Sequence, residues 1–283
     1  MKSIALRLWH KQLRIAIHPD RVCIGRVANE RQAEVTEGRV VAVPPGQWPW
    51  DGPLAALRKE IADYAGRAVT VRVSLSNHFV RYALVPWRDR VASHAEQVAF
   101  ARHCFKNLYG APAAQWDIRV SDGGYRRNSL ASAVDREWMV RLDQVFTEHK
   151  LRRISVQPWF MTACNRFRAE IDRHPEGCVA VMERGRVALG IYDSFGWRSL
   201  SVRKLDAADP RMLSPILAQE LLSANLVTMP DRLFVISIGE NACSLLTSHI
   251  QHWITPAQTR VPGLFSWKKE ALRAAGQPGA TEN

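Results

Sequence analysis

Apolar and polar residues alternate with period two at the start of this chain. In LRIAIHPDRVCIGRVA (13–28) the alternation runs to Ile17, His18-Pro19-Asp20 turns the chain, and a second strand returns through Val22, Ile24 and Val27. GRVVAV (38–43) predicts a third strand, followed by a loop with Pro44, Pro45, Gly46 and Pro49 around Trp48 and Trp50. The period then lengthens. DGPLAALRKEIADYAG predicts a helix capped by Asp51, with Pro53 in its first turn and Gly66 as its stop. VTVRVSLS (69–76) and FVRYALVPW (79–87) read as strands again. SHAEQVAFARHCFKNLYG predicts a helix with Ser93 as cap and Glu96 three residues on, the reciprocal pair of a capping box. WDIRV and NSLASAV flank a Ser-Asp-Gly-Gly turn as a hairpin, and Asp135 caps the helix DREWMVRLDQVFTEHK. A strand, RRISVQPW, and a helix, FMTACNRFRAEID, complete this half.

The second half repeats the order. VAVMERGRVALGIYDSFGWRSLSV (179–202) reads as three strands joined by a Glu-Arg-Gly turn and an Asp-Ser-Phe-Gly bend. A helix follows from Asp209-Pro210 through DPRMLSPILAQELLSANL, then a strand, RLFVISIG (232–239), and a helix, NACSLLTSHIQHWI. Beyond Thr255 the chain is rich in Pro, Gly and Lys and predicts a tail. Each half thus opens on a three-strand meander and then alternates helices with strands. That order predicts a mixed-sheet α/β fold built twice, with a cleft between the halves.

Composition narrows the class. At 283 residues, 47% apolar and 23% charged, the chain can bury a large core and is not a disordered one. No apolar run approaches the roughly 18 residues of a membrane span. Arg7, His10, Lys11 and Arg14 interrupt any signal-peptide core, so a cytoplasmic location is expected. Five cysteines, odd in number and without a C-x-x-C pair, predict free thiols in a reducing compartment. The net charge of +12 suits an anionic lipid surface or an acidic partner. The cations are dispersed and lack interleaved aromatics, which argues against a nucleic-acid partner.

Motifs for chemistry are scarce. The sequence holds no G-x-x-x-x-G-K-[ST], no G-x-G-x-x-G after a strand, no H-E-x-x-H and no G-x-S-x-G. His249 and His252 stand three apart on a predicted helix, with no third ligand nearby to complete a metal site. Cys164 lies among apolar residues and reads as a core thiol. Asp20, Glu183, Asp193 and Glu240 fall at strand ends, where turn residues and catalytic carboxylates both occur.

The twice-built plan resembles the actin-like ATPase fold of two ribonuclease-H-like lobes with a small inserted subdomain. In VRVSLSNHFVRYALVPW, in the helix with EQVAFARHCFKNLYG and in AVDREWMVRLDQVFTEHKLRRISVQPWFMTACNRF the chain resembles, within that superfamily, PilM-type pilus assembly proteins and the cytoplasmic domain of GspL from type II secretion. The likeness spans about residues 13–255. It implies a first lobe over 1–165 with an insert at about 88–135, a second lobe over 166–255, and a tail over 256–283.

Nucleotide-using members of that fold carry Asp-x-Gly and a hydroxyl residue at the first hairpin of each lobe. Glycine lets backbone N–H groups approach phosphate, and the carboxylate holds Mg²⁺ or orients water. Here the first hairpin reads Ile17-His18-Pro19-Asp20, and proline removes a donor where phosphate would need one. The second reads Met182-Glu183-Arg184-Gly185; it keeps the acid-x-Gly spacing but is followed by Arg186 and Val187. Ser237-Ile238-Gly239-Glu240-Asn241 keeps one glycine of an adenosine-side turn, or is a plain turn capped by Asn241.

The resemblance therefore implies a vestigial nucleotide cleft at Glu183, Gly185 and Gly239, with no required cofactor or metal and room for at most a weak ATP or ADP site. It implies a non-catalytic scaffold at the inner membrane, partnered by a PilN-like single-span subunit and an assembly ATPase, with homo-oligomerisation open. The alternatives are an active actin-like ATPase or sugar kinase and a basic nucleic-acid-binding module. A two-metal nuclease is disfavoured, because LRIAIH lacks the carboxylate such a site needs in its opening strand. Trp87, Trp116 and Trp159 are the candidate partner anchors, against core packing for each.

Overall fold

The computed structural model describes residues 11–29, 34–43, 50–67, 69–89, 93–205, 213–226, 232–237 and 252–254. In chain order the first half holds strands β1 (Lys11–Ile17), β2 (Arg21–Asn29) and β3 (Glu34–Ala42), helix α1 (Asp51–Ile61), strands β4 (Val69–Leu75) and β5 (Arg81–Val85), and helix α2 (His94–Tyr109). Strands β6 (Trp116–Ser121) and β7 (Ser129–Asp135), helix α3 (Arg136–Glu148), strand β8 (Arg152–Pro158) and helices α4 (Trp159–Arg166) and α5 (Arg168–Ile171) follow. The second half holds β9 (Gly177–Glu183), β10 (Arg186–Asp193), β11 (Gly196–Lys204), α6 (Leu213–Ser223), β12 (Leu233–Ser237) and β13 (His252–Ile254).

Among the described residues the strands form three sheets. The order β3-β2-β1-β4-β8 in the first matches β11-β10-β9-β12-β13 in the second. In each, an antiparallel meander is extended by a strand parallel to its first member, β4 beside β1 and β12 beside β9. The repeat of element order read from the sequence is therefore a repeat of topology. One difference is the last strand: β8 runs parallel to β4, whereas β13 runs antiparallel to β12.

Side-chain alternation builds the core. Val69, Val71, Val73 and Leu75 of β4 are buried, as are Leu13, Ile15 and Ile17 of β1; they pack with Leu54, Leu57 and Ile61 of α1 and Trp138, Leu142 and Phe146 of α3. Each such side chain contributes about 1.5–3 kcal/mol by leaving water. Strand β9 is buried on both faces. Val179 and Val181 join the same cluster as the first-half core, through Phe160 and Cys164 of α4. Cys178, Ala180 and Met182 face Leu213, Leu217 and Leu221 of α6, a spacing of one helical turn. The buried Glu220 of α6 accepts hydrogen bonds from Ser199, from Ser201 at 2.7 Å and from Arg203 at 3.0 Å, all on one face of β11. That carboxylate fixes how α6 lies on the sheet.

The third sheet, β5-β7-β6, carries α2 and has its own small core of Ala83, Val85, Ala101, Phe105, Ile118 and Ala131. It also reaches the second half, where Asn128 bridges to Gly196 and its amide donates to the Trp197 carbonyl at 3.0 Å. The Ser93–Glu96 capping box and the Asp135 cap form as the sequence predicts.

Two expectations are corrected. Asp51 is the first helical residue of α1, Trp50 is the cap position, and the Asp51 carboxylate pairs with Arg141 of α3 at 3.0 Å. A carboxylate is favourable anywhere in the first turn, so the tertiary ion pair decides its place. His252–Ile254, expected to end a helix, is strand β13 because it finds the open side of β12. The preceding part of that predicted helix, with Gly239, Glu240, Cys243 and His249, lies outside the described residues, and so does 206–212.

Close approach makes Gly190 of β10 irreplaceable by size. A methyl group there would stand 2.6 Å from the Trp197 ring and 2.7 Å from the Phe160 ring, which meet edge to face across it. Gly190→Ala is expected to cost about 1–3 kcal/mol by overpacking. Thermal unfolding should show this as a Tm fall of roughly 2–4 °C per kcal/mol. An unchanged Tm would mean that the two rings are free to move apart.

Candidate functional site

The parallel pairing of β1 with β4 sets Ile17 beside Leu75, so the residues that follow each strand emerge side by side. Ser76 is anchored there by its N–H to the Ile17 carbonyl at 3.0 Å. His18 is held by its own N–H to the Arg21 carbonyl at 2.9 Å, across the β1–β2 turn. On the other side of the cleft Glu183 is the last residue of β9, the central strand of the second sheet. All these groups lie at carboxyl ends of strands, where open α/β sheets place their ligand sites.

The two edges are joined by one carboxylate. Glu183 is 2% exposed. One of its oxygens, Oε1, accepts from the Asn77 backbone N–H at 2.9 Å and from the Asn77 side-chain amide. The other, Oε2, accepts from the Ser76 hydroxyl and lies 3.3 Å from His18 Nδ1. Because an ionised carboxylate only accepts, Nδ1 is the protonated nitrogen of His18. A step further out, His78 Nε2 meets the Arg184 carbonyl at 2.9 Å and Arg184 lies 3.5 Å from Asp20. Gly185 completes the β9–β10 turn at φ +78°, a conformation that favours glycine.

Electrostatics favour the ionised acid. Burial pushes the Glu183 carboxyl up, but hydrogen bonds from His18, Ser76 and Asn77, with the charge of His18, hold it below its ordinary value. Burial lowers His78, against the pull of the Arg184 carbonyl and Glu183. Burial also lowers Arg186, helped by the like charge of Arg81. An uncompensated carboxylate at this depth would cost several kcal/mol, so the direction at Glu183 shows that its donors win.

Of the residues singled out in the sequence, Glu183 and Gly185 lie together at this cleft, and Gly239 lies outside the described residues. Asp20 is at its rim. Asp193 is a turn residue, accepting from the Phe195 N–H at 2.8 Å and pairing with Arg198 at 3.5 Å. Cys164 is a buried core thiol with its acidity suppressed by burial. Trp159 is buried, Trp116 packs edge to face on Phe105 and Tyr109, and Trp87 remains partly exposed against Tyr125. Sequence reading missed Ser76, Asn77 and His78. The available signal was SNH directly after the alternating run VTVRVSL, three polar residues where the strand leaves the sheet. No group of three or more His, Cys, Asp or Glu that could hold a metal occurs among the described residues.

Two sheets of one topology that meet at their strand ends, with a small third sheet between β4 and β8 in the chain, make the actin-like ATPase fold. The cytoplasmic domain of EpsL, an inner-membrane component of the type II secretion system of Vibrio cholerae, is similar with a TM-score of 0.56 at 16% identity, over 84% of this chain and 93% of that one. A Bacteroides thetaiotaomicron protein with an actin-like ATPase fold and unknown function is similar with a TM-score of 0.54 at 9% identity, over 84% of this chain and 86% of that one. A chain of the PilM-PilN type IV pilus biogenesis complex is similar with a TM-score of 0.54 at 16% identity, over 83% of this chain and 84% of that one. No protein-family model matches the chain, and no curated protein sequence does. The actin-like fold implied by the resemblance is the fold observed.

The cleft predicts an acid-labile protein. The folded-state pKa of Glu183 is depressed, so its stabilisation is present above the ordinary carboxylate value, near about 4.3, and is lost as pH falls below it. The folded-state pKa of His78 is also depressed, so folding loses stability as pH falls below about 6.5 as well. Both work in one direction, and the facing charges of His18, Asp20, Arg81, Arg184 and Arg186 share the environment. Denaturant unfolding between pH 7 and pH 3 should give a falling free energy. Glu183→Gln should flatten its lowest part and His78→Gln its upper part; parallel curves for all three proteins would contradict the assignment.

Proposed function

We propose that this protein is a non-catalytic scaffold of an inner-membrane assembly platform of the type II secretion or type IV pilus kind. It would stand at the cytoplasmic face of the membrane and bind the cytoplasmic tail of a single-span, PilN-like subunit. The observation that carries the reading is the position of Glu183. Of the two lobe-opening hairpins only the second keeps the acid-x-Gly spacing, and its acid, Glu183, faces protein donors of the first lobe, in the place where a nucleotide enzyme of this fold would need a free carboxylate. Pro19 removes a donor from the facing hairpin, and the Asp20 carboxylate is already engaged by Arg21 and Arg184.

The structural likeness to the EpsL cytoplasmic domain and to the PilM-PilN complex supports the platform role. No helix among the described residues is long and apolar enough to cross a membrane. The net charge of +12 would help hold the protein at an anionic leaflet, at about 1 kcal/mol per well-placed cation. Contact with an assembly ATPase, and self-association, belong to the same reading.

Calorimetric titration of ATP into the full chain, with and without Mg²⁺, tests it. The expected result is no Mg²⁺-dependent binding and no phosphate release on prolonged incubation. Tight Mg²⁺-dependent binding, or turnover abolished by Glu183→Ala, would restore an ATP-driven role and overturn the scaffold reading.

A further inference from the structure

Two of the side chains that donate to Glu183, Asn77 and Ser76, are also oriented by groups other than Glu183. The Asn77 side-chain oxygen accepts from the Tyr82 hydroxyl and from the Phe160 N–H at 3.2 Å, which turns the Asn77 amide nitrogen toward the cleft. The Ser76 oxygen accepts from the His78 N–H at 3.2 Å, which aims the Ser76 proton outward. The His18 and Ser76 backbones are tied into β2 and β1. Ser76 and Asn77 are each at most 1% exposed, and His18 is 4% exposed. These supports come from the first lobe, α4 included, so the orientation of Ser76 and Asn77 does not rest on Glu183 alone.

We propose that Ser76, Asn77 and His18 form a carboxylate-binding seat in the first lobe, and that Glu183 is its resident ligand, supplied by the second lobe in place of a free anion. Four donors converge on two oxygens of one planar group, one backbone N–H, one amide, one hydroxyl and one imidazole. That donor count and shape suit a small carboxylate, and a phosphate shares enough of the chemistry to compete. The consequence is mechanical. The angle between the lobes is set by an intramolecular ligand, and a seat emptied of Glu183 would accept one from solution. The seat stands on geometry and holds whatever the protein's partners are.

Chemical rescue tests it. Tm is measured for the full chain, for Glu183→Ala and for Glu183→Gln, in sodium formate or inorganic phosphate against sodium chloride of equal ionic strength. Glu183→Ala should melt roughly 5–10 °C below the unaltered chain, because it strands buried donors. Formate at about ten times its Kd should return roughly 3–6 °C to Glu183→Ala. It should return far less to the unaltered chain or to Glu183→Gln, whose side chain still fills the seat. An equal gain from phosphate would widen the seat's ligands to oxyanions in general. The same formate response in all three proteins would overturn the proposal.

If Glu183→Ala does not fold, a charge swap decides. Asn77→Asp keeps the acceptor for Tyr82 and Phe160 but opposes Glu183, and should lower Tm. Adding Glu183→Gln should restore most of the loss, because the Gln amide can then donate to the new acid. Additive losses in the double variant would overturn the seat. Failure here would leave the scaffold reading to the ATP titration.

Discussion

A single buried carboxylate decides how the halves of this molecule meet. Removing Glu183 from water carries a penalty of several kcal/mol that nothing apolar could offset. Only a dense set of donors does, and those donors come from the other half of the chain. The two lobes can therefore close in one arrangement, with the carboxyl end of β9 against the carboxyl ends of β1 and β4. Hydrophobic burial supplies more of the stability, but it is non-directional and would tolerate a range of angles between lobes. The charge-assisted hydrogen bonds select one.

Around that junction the packing reinforces the same geometry. Phe160 of α4 faces both ways: its backbone N–H fixes Asn77, and its ring meets Tyr82 on one side and Trp197 on the other. The space for this contact exists because residue 190 is glycine. The large core is continuous from β1 and β4 through α4 to Val179, Val181 and Tyr192, so the lobes share apolar material. The inserted sheet docks on the β10–β11 turn through Asn128. The junction is thus bounded on several sides by contacts that cross between lobes.

Local signals in the sequence were strongest where a short stretch satisfies its own backbone. Ser93 with Glu96, Asp135 before its helix, and the Arg184-Gly185 turn each complete their hydrogen bonds or their φ within a few residues, so pattern alone finds them. The signal failed where a distant partner chose the outcome. Asp51 reads as a cap, yet its oxygen goes to Arg141, ninety positions away. HWI follows a helical run, yet it pairs with β12, because an unpaired strand edge satisfies its backbone better than a frayed helix end. Ser76 reads as the last residue of the strand 69–76 and Asn77 lies between two predicted strands, and nothing local shows that Glu183 will arrive to meet them.

The sequence by itself determined the repeated order of elements, because period-two and period-3.6 patterns respond to burial of one face and need no knowledge of the partner; the actin-like fold entered as what a family resemblance implied. Pro19 and the residues after Gly185 also depart, in the sequence, from the Asp-x-Gly and hydroxyl pattern of nucleotide-using members of that fold. Only the tertiary structure decided what occupies the cleft. Glu183 and Asn77 stand 106 positions apart, and their meeting depends on two sheets presenting strand ends at matched heights. A hydrogen bond between such residues leaves no periodicity in the chain. It is fixed by the register of β1 with β4 and by the length of β9, and those are properties of the assembled sheets.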